Sequence, residues 1–186
     1  MGETRSGDTV VVRHEGDLTL VAVIDVLGHG ARAADVADRA EAHLHEVALG
    51  HDAHRLMESL HHALRGTRGA AATFYLFERG RIRGCGIGNV ELRTQGSSVP
   101  VFLNPGIIGQ NVRQIRTFEA DLRPGDRMIL FSDGISSRAD LNRVRNLTPD
   151  IACRTMFSEH RKAHDDATLV IADVEPVGRA PAPSLR

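Results

Sequence analysis

Hydrophobic residues near the start of the chain run in short blocks rich in β-branched side chains, then switch to a helical period. Thr9 to Arg13 and Leu18 to Val26 flank the turn-forming Glu15-Gly16-Asp17, which predicts an antiparallel strand pair with Asp25 at the end of its second, central strand. From Ala31 to Leu49 the apolar residues Ala33, Val36, Ala37, Ala40, Leu44 and Val47 recur at helical spacing. Ala53 to Arg65 repeats the pattern with Leu56, Met57, Leu60 and Leu64, so two amphipathic helices are expected. Past Gly66 the period changes again. Ala71 to Glu78 and Arg81 to Ile87 read as strands joined at Arg79-Gly80, and Val90 to Thr94 and Val112 to Glu119 continue an antiparallel series. The turn Leu122-Arg123-Pro124-Gly125-Asp126 leads into a buried strand, Arg127 to Ser132, that ends on Asp133-Gly134. Pro149 to His160 reads as a short helix, and Ala167 to Val174 as a last strand directly after Asp165-Asp166. This order predicts an α+β chain with two sheets packed face to face and helices outside.

Composition narrows the function classes. With 41% hydrophobic content in 186 residues there is material for one well-buried core, so residues 1–175 read as a single domain. The tail 176–186, carrying Pro176, Pro181 and Pro183, reads as disordered. The 23 basic and 24 acidic residues are interspersed and leave a net charge of -1, which favours neither nucleic acid nor membrane as a partner. Met1 to Asp8 contains no apolar stretch of the secretory kind, and the longest apolar runs are strand-sized, so a cytoplasmic location is expected. Cys85 and Cys153 are too few for a disulfide framework and lack zinc-site spacing.

Three features invite chemistry and receive a plainer reading. His43, His45, His51, His54, His61 and His62 crowd the helical region, but without a Cys or acidic partner placed to complete a tetrahedral site they read as solvated surface. Gly84-Cys85-Gly86-Ile87-Gly88 lies inside a strand pattern and does not open a helix, so it is not a nucleotide loop. Cys85 as a phosphatase nucleophile would want an arginine five residues on, where Val90 stands.

Aspartate is different. Four places put it at a strand edge beside a turn or glycine: Gly7-Asp8, Asp25-Val26-Leu27-Gly28-His29-Gly30, Ser132-Asp133-Gly134 and Asp165-Asp166-Ala167-Thr168. Any one alone is ordinary turn chemistry. Brought together, such carboxylates would require a cation, and an all-oxygen set suits Mg2+ or Mn2+ rather than zinc.

In order and spacing these segments resemble the signature of the type 2C (PPM) metal-dependent protein phosphatase superfamily, in its SpoIIE-like part. The resemblance runs from Gly7 to Val174. Arg68-Gly69-Ala70-Ala71-Ala72-Thr73 and Gly86-Ile87-Gly88-Asn89-Val90 resemble the RsbX stressosome-phosphatase branch in particular. It implies a β-sandwich of two mainly antiparallel sheets flanked by helices, αββα, with two Mn2+ or Mg2+ ions at one end between the sheets. It further implies that Asp25 bridges both ions, that the Val26 carbonyl binds one, that Asp133 and Asp165 complete the other, and that Asp8 holds the first. Asp166 stands where many relatives have asparagine and is the outermost of the set. Asp25, Asp133 and Asp165 would then be catalytic through a metal-activated water. Arg5 stands near the phosphate-binding arginine of the animal relatives without matching its spacing.

The resemblance therefore implies a serine/threonine phosphoprotein phosphatase. Its expected partner is a phosphorylated regulatory protein, a STAS-domain component of the stressosome dephosphorylated as negative feedback in bacterial stress signalling. The alternatives are a SpoIIE- or RsbU-type phosphatase acting on a phosphorylated anti-anti-sigma factor, and a catalytically inactive phosphoprotein-binding module.

Overall fold

The first two strands, β1 (Asp8–Glu15) and β2 (Leu18–Val26), pair antiparallel in the register that sets Asp8 opposite Asp25. The computed structural model describes residues 5–163 and 165–176. The expected tail therefore lies, beyond Pro176 itself, outside the described residues.

Helices α1 (Ala31–Glu46) and α2 (Ala53–Ala63) follow, then β3 (Ala70–Glu78) and β4 (Arg81–Ile87). Next come β5 (Glu91–Gln95), the two-residue strands β6 (Leu103–Asn104), β7 (Gly106–Ile107) and β8 (Asn111–Val112), and β9 (Thr117–Asp121). The chain closes with β10 (Arg127–Phe131), a 3-10 turn at Leu141–Val144, α3 (Pro149–His160) and β11 (Leu169–Asp173). One sheet runs β1-β2-β3-β4-β6, with β9 also paired to β4; a second runs β11-β10-β5, and β7 with β8 forms a small hairpin. Every pairing is antiparallel except β4 with β6.

Three apolar clusters define the layers. Leu20, Ala22, Ile24 and Val26 of β2 pack with Ala37, Leu44, Met57 and Leu60 of the helices on the outer face of the larger sheet. Their neighbours Val21 and Val23 face the other way, against Met128 and Leu130 of β10, between the two sheets. Ile129 and Phe131 then pack with Ala152 and Met156 of α3 on the outer face of the smaller sheet. Because both faces of β2 and β10 are covered, these strands read as continuous apolar runs rather than alternating ones. The result is helices, sheet, sheet, helix, the α+β sandwich expected from the pattern.

Two local expectations are corrected. Val112 to Glu119 is not one strand, since β8 ends at Val112 in the hairpin and β9 begins at Thr117 on the large sheet. The buried Asn104 side chain takes the break: its Oδ1 accepts from Arg116 N at 2.9 Å and its Nδ2 donates to Arg116 O at 2.9 Å. Those backbone groups are satisfied by a side chain instead of a ladder. The first helix stops at Glu46 rather than Leu49, and the Arg13 guanidinium donates to the carbonyls of Leu44 and Val47 there, at 3.1 and 2.5 Å. The glycines of the Gly84-Cys85-Gly86 run are explained by packing. A Cβ on Gly84 would fall on the Phe118 ring, and one on Gly86 would come within 2.5 Å of Thr73 Oγ1.

The layers leave four chain segments at one end. Asp8 opens β1, Asp25 sits one residue before the end of β2, Asp133 follows β10, and Asp165-Asp166 precede β11.

Candidate metal centre

At that end a cavity of about 810 Å³ is lined by Asp8, Asp25, Asp133, Asp165 and Asp166, together with Val26, Asn89 and Arg161. The strand register delivers the first two, and tight turns deliver the rest. Gly28 and Gly30, at φ +81° and +80°, turn the chain from β2 into α1 in a left-handed conformation that a side chain would strain. Gly134 is buried so closely under the Asp165-Asp166 segment that a Cβ there would fall on the Asp166 carbonyl oxygen and within 2.8 Å of Ala167 Cα.

Three of the five carboxylates are held by hydrogen bonds. Gly7 N donates to Asp166 Oδ2 at 2.6 Å. Ser132 Oγ donates to Asp8 Oδ2 at 2.5 Å and itself accepts from Thr168 N at 3.0 Å, which ties the ends of three strands together. Asn89 Nδ2 donates to Asp133 Oδ2 at 2.7 Å. Among the described residues no three His, Cys, Asp or Glu side chains already close into a metal cage. The carboxylates share a wall and face one space.

Their charges are costly as they stand. Burial, followed by Asp8, Asp133 and Asp165 nearby, raises the Asp25 carboxyl from 3.8 to about 7. Burial also raises Asp8 to about 6, with Asp166 and Asp133 adding to it and the Ser132 and Thr168 hydrogen bonds opposing it. Asp133 is raised too, chiefly by burial and then by Asp165. An all-oxygen wall of half-buried, mutually repelling carboxylates fits a hard divalent cation, which would supply the missing counter-charge.

A pH dependence follows. Asp25 and Asp8 keep their protons up to about 7 and about 6 when folded, against an ordinary carboxylate value of 3.8. The folded chain therefore binds more protons than the unfolded chain in that window, and this contribution is full below 3.8 and lost as the pH rises through 6 and 7. In EDTA the melting temperature should be about 3 °C or more higher at pH 5 than at pH 8, and the difference should shrink in Asp25→Asn. A flat profile, or an unchanged one in the variant, would count against the charge cluster.

Arg5 does not line the cavity. Its guanidinium is taken by Asp35 at 3.1 Å and Asp38 at 2.5 Å, both on α1. Three contributors carried no signal strong enough to be singled out as site residues in the sequence: Asn89, Ser132 and Arg161. Asn89 and Ser132 lie inside segments with motif character, whereas Arg161 lies in none. His29 lines the cavity at the turn. Elsewhere His43 Nε2 meets Ser59 Oγ at 2.8 Å and His61 Nδ1 accepts from Gly109 N at 3.1 Å. Cys85 is fully buried and its thiol is pushed up to about 12 by burial, which withholds the thiolate a nucleophile needs.

Comparison with known proteins bears on this arrangement. The family model of stage II sporulation protein E (SpoIIE) matches residues 15–181, a span that takes in Asp25, Asp133, Asp165 and Asp166 and leaves out Asp8. No curated protein matches the chain by sequence. Among solved structures, one from work on the bacterial stressosome as a modular system adapted to control secondary messenger signalling is 28% identical, with a TM-score of 0.82 over 91% of this chain and 92% of that one. RsbX in complex with magnesium is 19% identical, with a TM-score of 0.79 over 91% of this chain and 87% of RsbX. The Mycobacterium tuberculosis serine/threonine phosphatase PstP is 16% identical, with a TM-score of 0.68 over 95% of each chain.

Proposed function

The chain belongs to the SpoIIE family, and from that premise we propose that it is a metal-dependent serine/threonine phosphoprotein phosphatase. The observation that carries this reading is the convergence of five aspartates from four separate segments on one cavity, where burial and mutual repulsion oppose their charges and a cation would stabilise them. In the proposed site Asp25 would be shared between two Mn2+ or Mg2+ ions, and the Val26 carbonyl and Asp8 would help to hold one of them. Asp133 and Asp165 would help to hold the other, with Asp166 beside them. When bound, such ions activate water and neutralise charge on phosphoryl oxygens. The chain's own part is to aim the donors. Ser132 fixes one oxygen of Asp8, Gly7 N fixes Asp166, and Asn89 fixes Asp133, which leaves the remaining carboxylate oxygens to the cavity.

The proposed substrate is a phosphorylated regulatory protein, most simply a STAS-domain component of the stressosome, with the enzyme acting as negative feedback. The fold likeness to RsbX and to the stressosome-related structure supports it. The match to the SpoIIE model itself favours a second reading, in which the substrate is a phosphorylated anti-anti-sigma factor. No described helix is long and apolar enough to cross a membrane, and we place the enzyme in the cytoplasm.

Purified protein should hydrolyse p-nitrophenyl phosphate with Mn2+ or Mg2+ and lose that turnover in EDTA. It should also release phosphate from a phosphoserine STAS-domain protein. No turnover with either metal, together with no Mn2+ binding by calorimetry, would overturn the reading in favour of a phosphoprotein-binding module.

A further inference from the structure

In a cavity walled by carboxylates, a cation of the chain itself would add to the hold that bound metal ions have on a phosphate monoester. Among the lysines and arginines of the described residues, Arg161 alone lines the cavity. The arginine nearest the first aspartate in sequence, Arg5, is spent on Asp35 and Asp38. Arg161 is exposed, and among the described residues its guanidinium makes no hydrogen bond or ion pair, although five aspartates line the same cavity.

Its backbone is pinned. The segment around it is bridged to the loop after Asp133: Ser136 N donates to His160 O at 2.9 Å, Lys162 N donates to Gly134 O at 2.8 Å, and Arg161 pairs with Ile135. The same loop that positions Asp133 thus positions Arg161, and the end of α3 anchors it from behind through Arg161 N to Phe157 O at 3.3 Å. An arginine fixed at its backbone and uncommitted at its side chain suits a planar, bidentate grip on a phosphoryl group.

The geometry points to Arg161 as the residue of this chain that binds the substrate phosphoryl group, taking the part that sequence position suggested for Arg5. This rests on the phosphatase reading above and adds to it a residue outside the acidic motifs. Arg161 is not a metal ligand, so its loss weakens the hold on phosphate and leaves the affinity for Mn2+ unchanged.

Steady-state hydrolysis of p-nitrophenyl phosphate with Mn2+, product inhibition by inorganic phosphate, and calorimetric titration of Mn2+ would be compared for wild type, Arg161→Ala and Arg161→Lys. Arg161→Ala should raise KM and the inhibition constant for phosphate by about 10- to 100-fold, with Arg161→Lys between it and the wild type and Mn2+ affinity within about twofold in all three. Unchanged KM and inhibition constants in Arg161→Ala would overturn the assignment, as would a parallel loss of Mn2+ affinity. If the wild type fails to turn over with any metal, the phosphatase reading falls by itself. Calorimetric binding of inorganic phosphate in Mg2+ then decides the arginine: weaker binding in Arg161→Ala supports it, and equal or absent binding in the wild type overturns it.

Discussion

Asp25→Asn is expected to lower Mn2+-supported hydrolysis of p-nitrophenyl phosphate by about a thousandfold or more, because bound cations contribute several kcal/mol of charge stabilisation that no other group replaces. The same change should raise the melting temperature of the cation-free protein near pH 8. Asp25 is the carboxyl raised furthest in the cluster, to about 7, first by burial and then by Asp8, Asp133 and Asp165. An amide of nearly the same shape removes that repulsion without opening a cavity. Loss of activity with gain of stability is the mark of a group held against its own preference for the sake of a ligand. A variant that kept wild-type turnover would remove Asp25 from the chemistry, and one that lost both activity and stability would make it a structural residue.

Gly134→Ala is expected to cost about 2–3 kcal/mol and to lower the melting temperature by about 4–12 °C, measured in EDTA so that metal binding does not enter. The added methyl would occupy the place of the Asp166 carbonyl oxygen, which belongs to backbone and has no rotamer to escape into. The contact has to be relieved by moving the loop that carries Asp133 away from the strand entry that carries Asp165 and Asp166. Mn2+ affinity should fall with stability, by about tenfold, since the donors then no longer face a common point. A stable Gly134→Ala protein with weakened Mn2+ binding would separate the two effects and still place Gly134 at the joint. Wild-type values for both would show that the two segments tolerate separation.

Much of this arrangement is visible in the order of residues. The hairpin turn at Glu15-Gly16-Asp17 and the apolar run to Val26 set the β1–β2 register, and that register alone puts Asp8 across from Asp25. The acidic segments at the ends of the runs Leu18 to Val26 and Arg127 to Ser132 are legible for the same reason, since local period marks where a strand stops. The split between β8 and β9 is not legible. It depends on Asn104, whose buried side chain folds back from 12 positions away to capture both backbone groups of Arg116.

Sequence by itself determined the class of layers, the strand ends that carry aspartate, and an oxygen-only donor set suited to hard cations. Those properties are local: side-chain period, turn chemistry and residue type act over a few neighbours. Only the tertiary structure decided which polar groups meet. It joined Ser132 to Asp8 and Asn89 to Asp133, sent Arg5 to Asp35 and Asp38, and left Arg161 at the cavity with no side-chain partner among the described residues. Such meetings depend on how two sheets cross and where a loop is pinned, and a hydrogen bond or ion pair is made or lost over about an ångström. No pattern along the chain encodes a distance of that size between residues 30 to 124 positions apart.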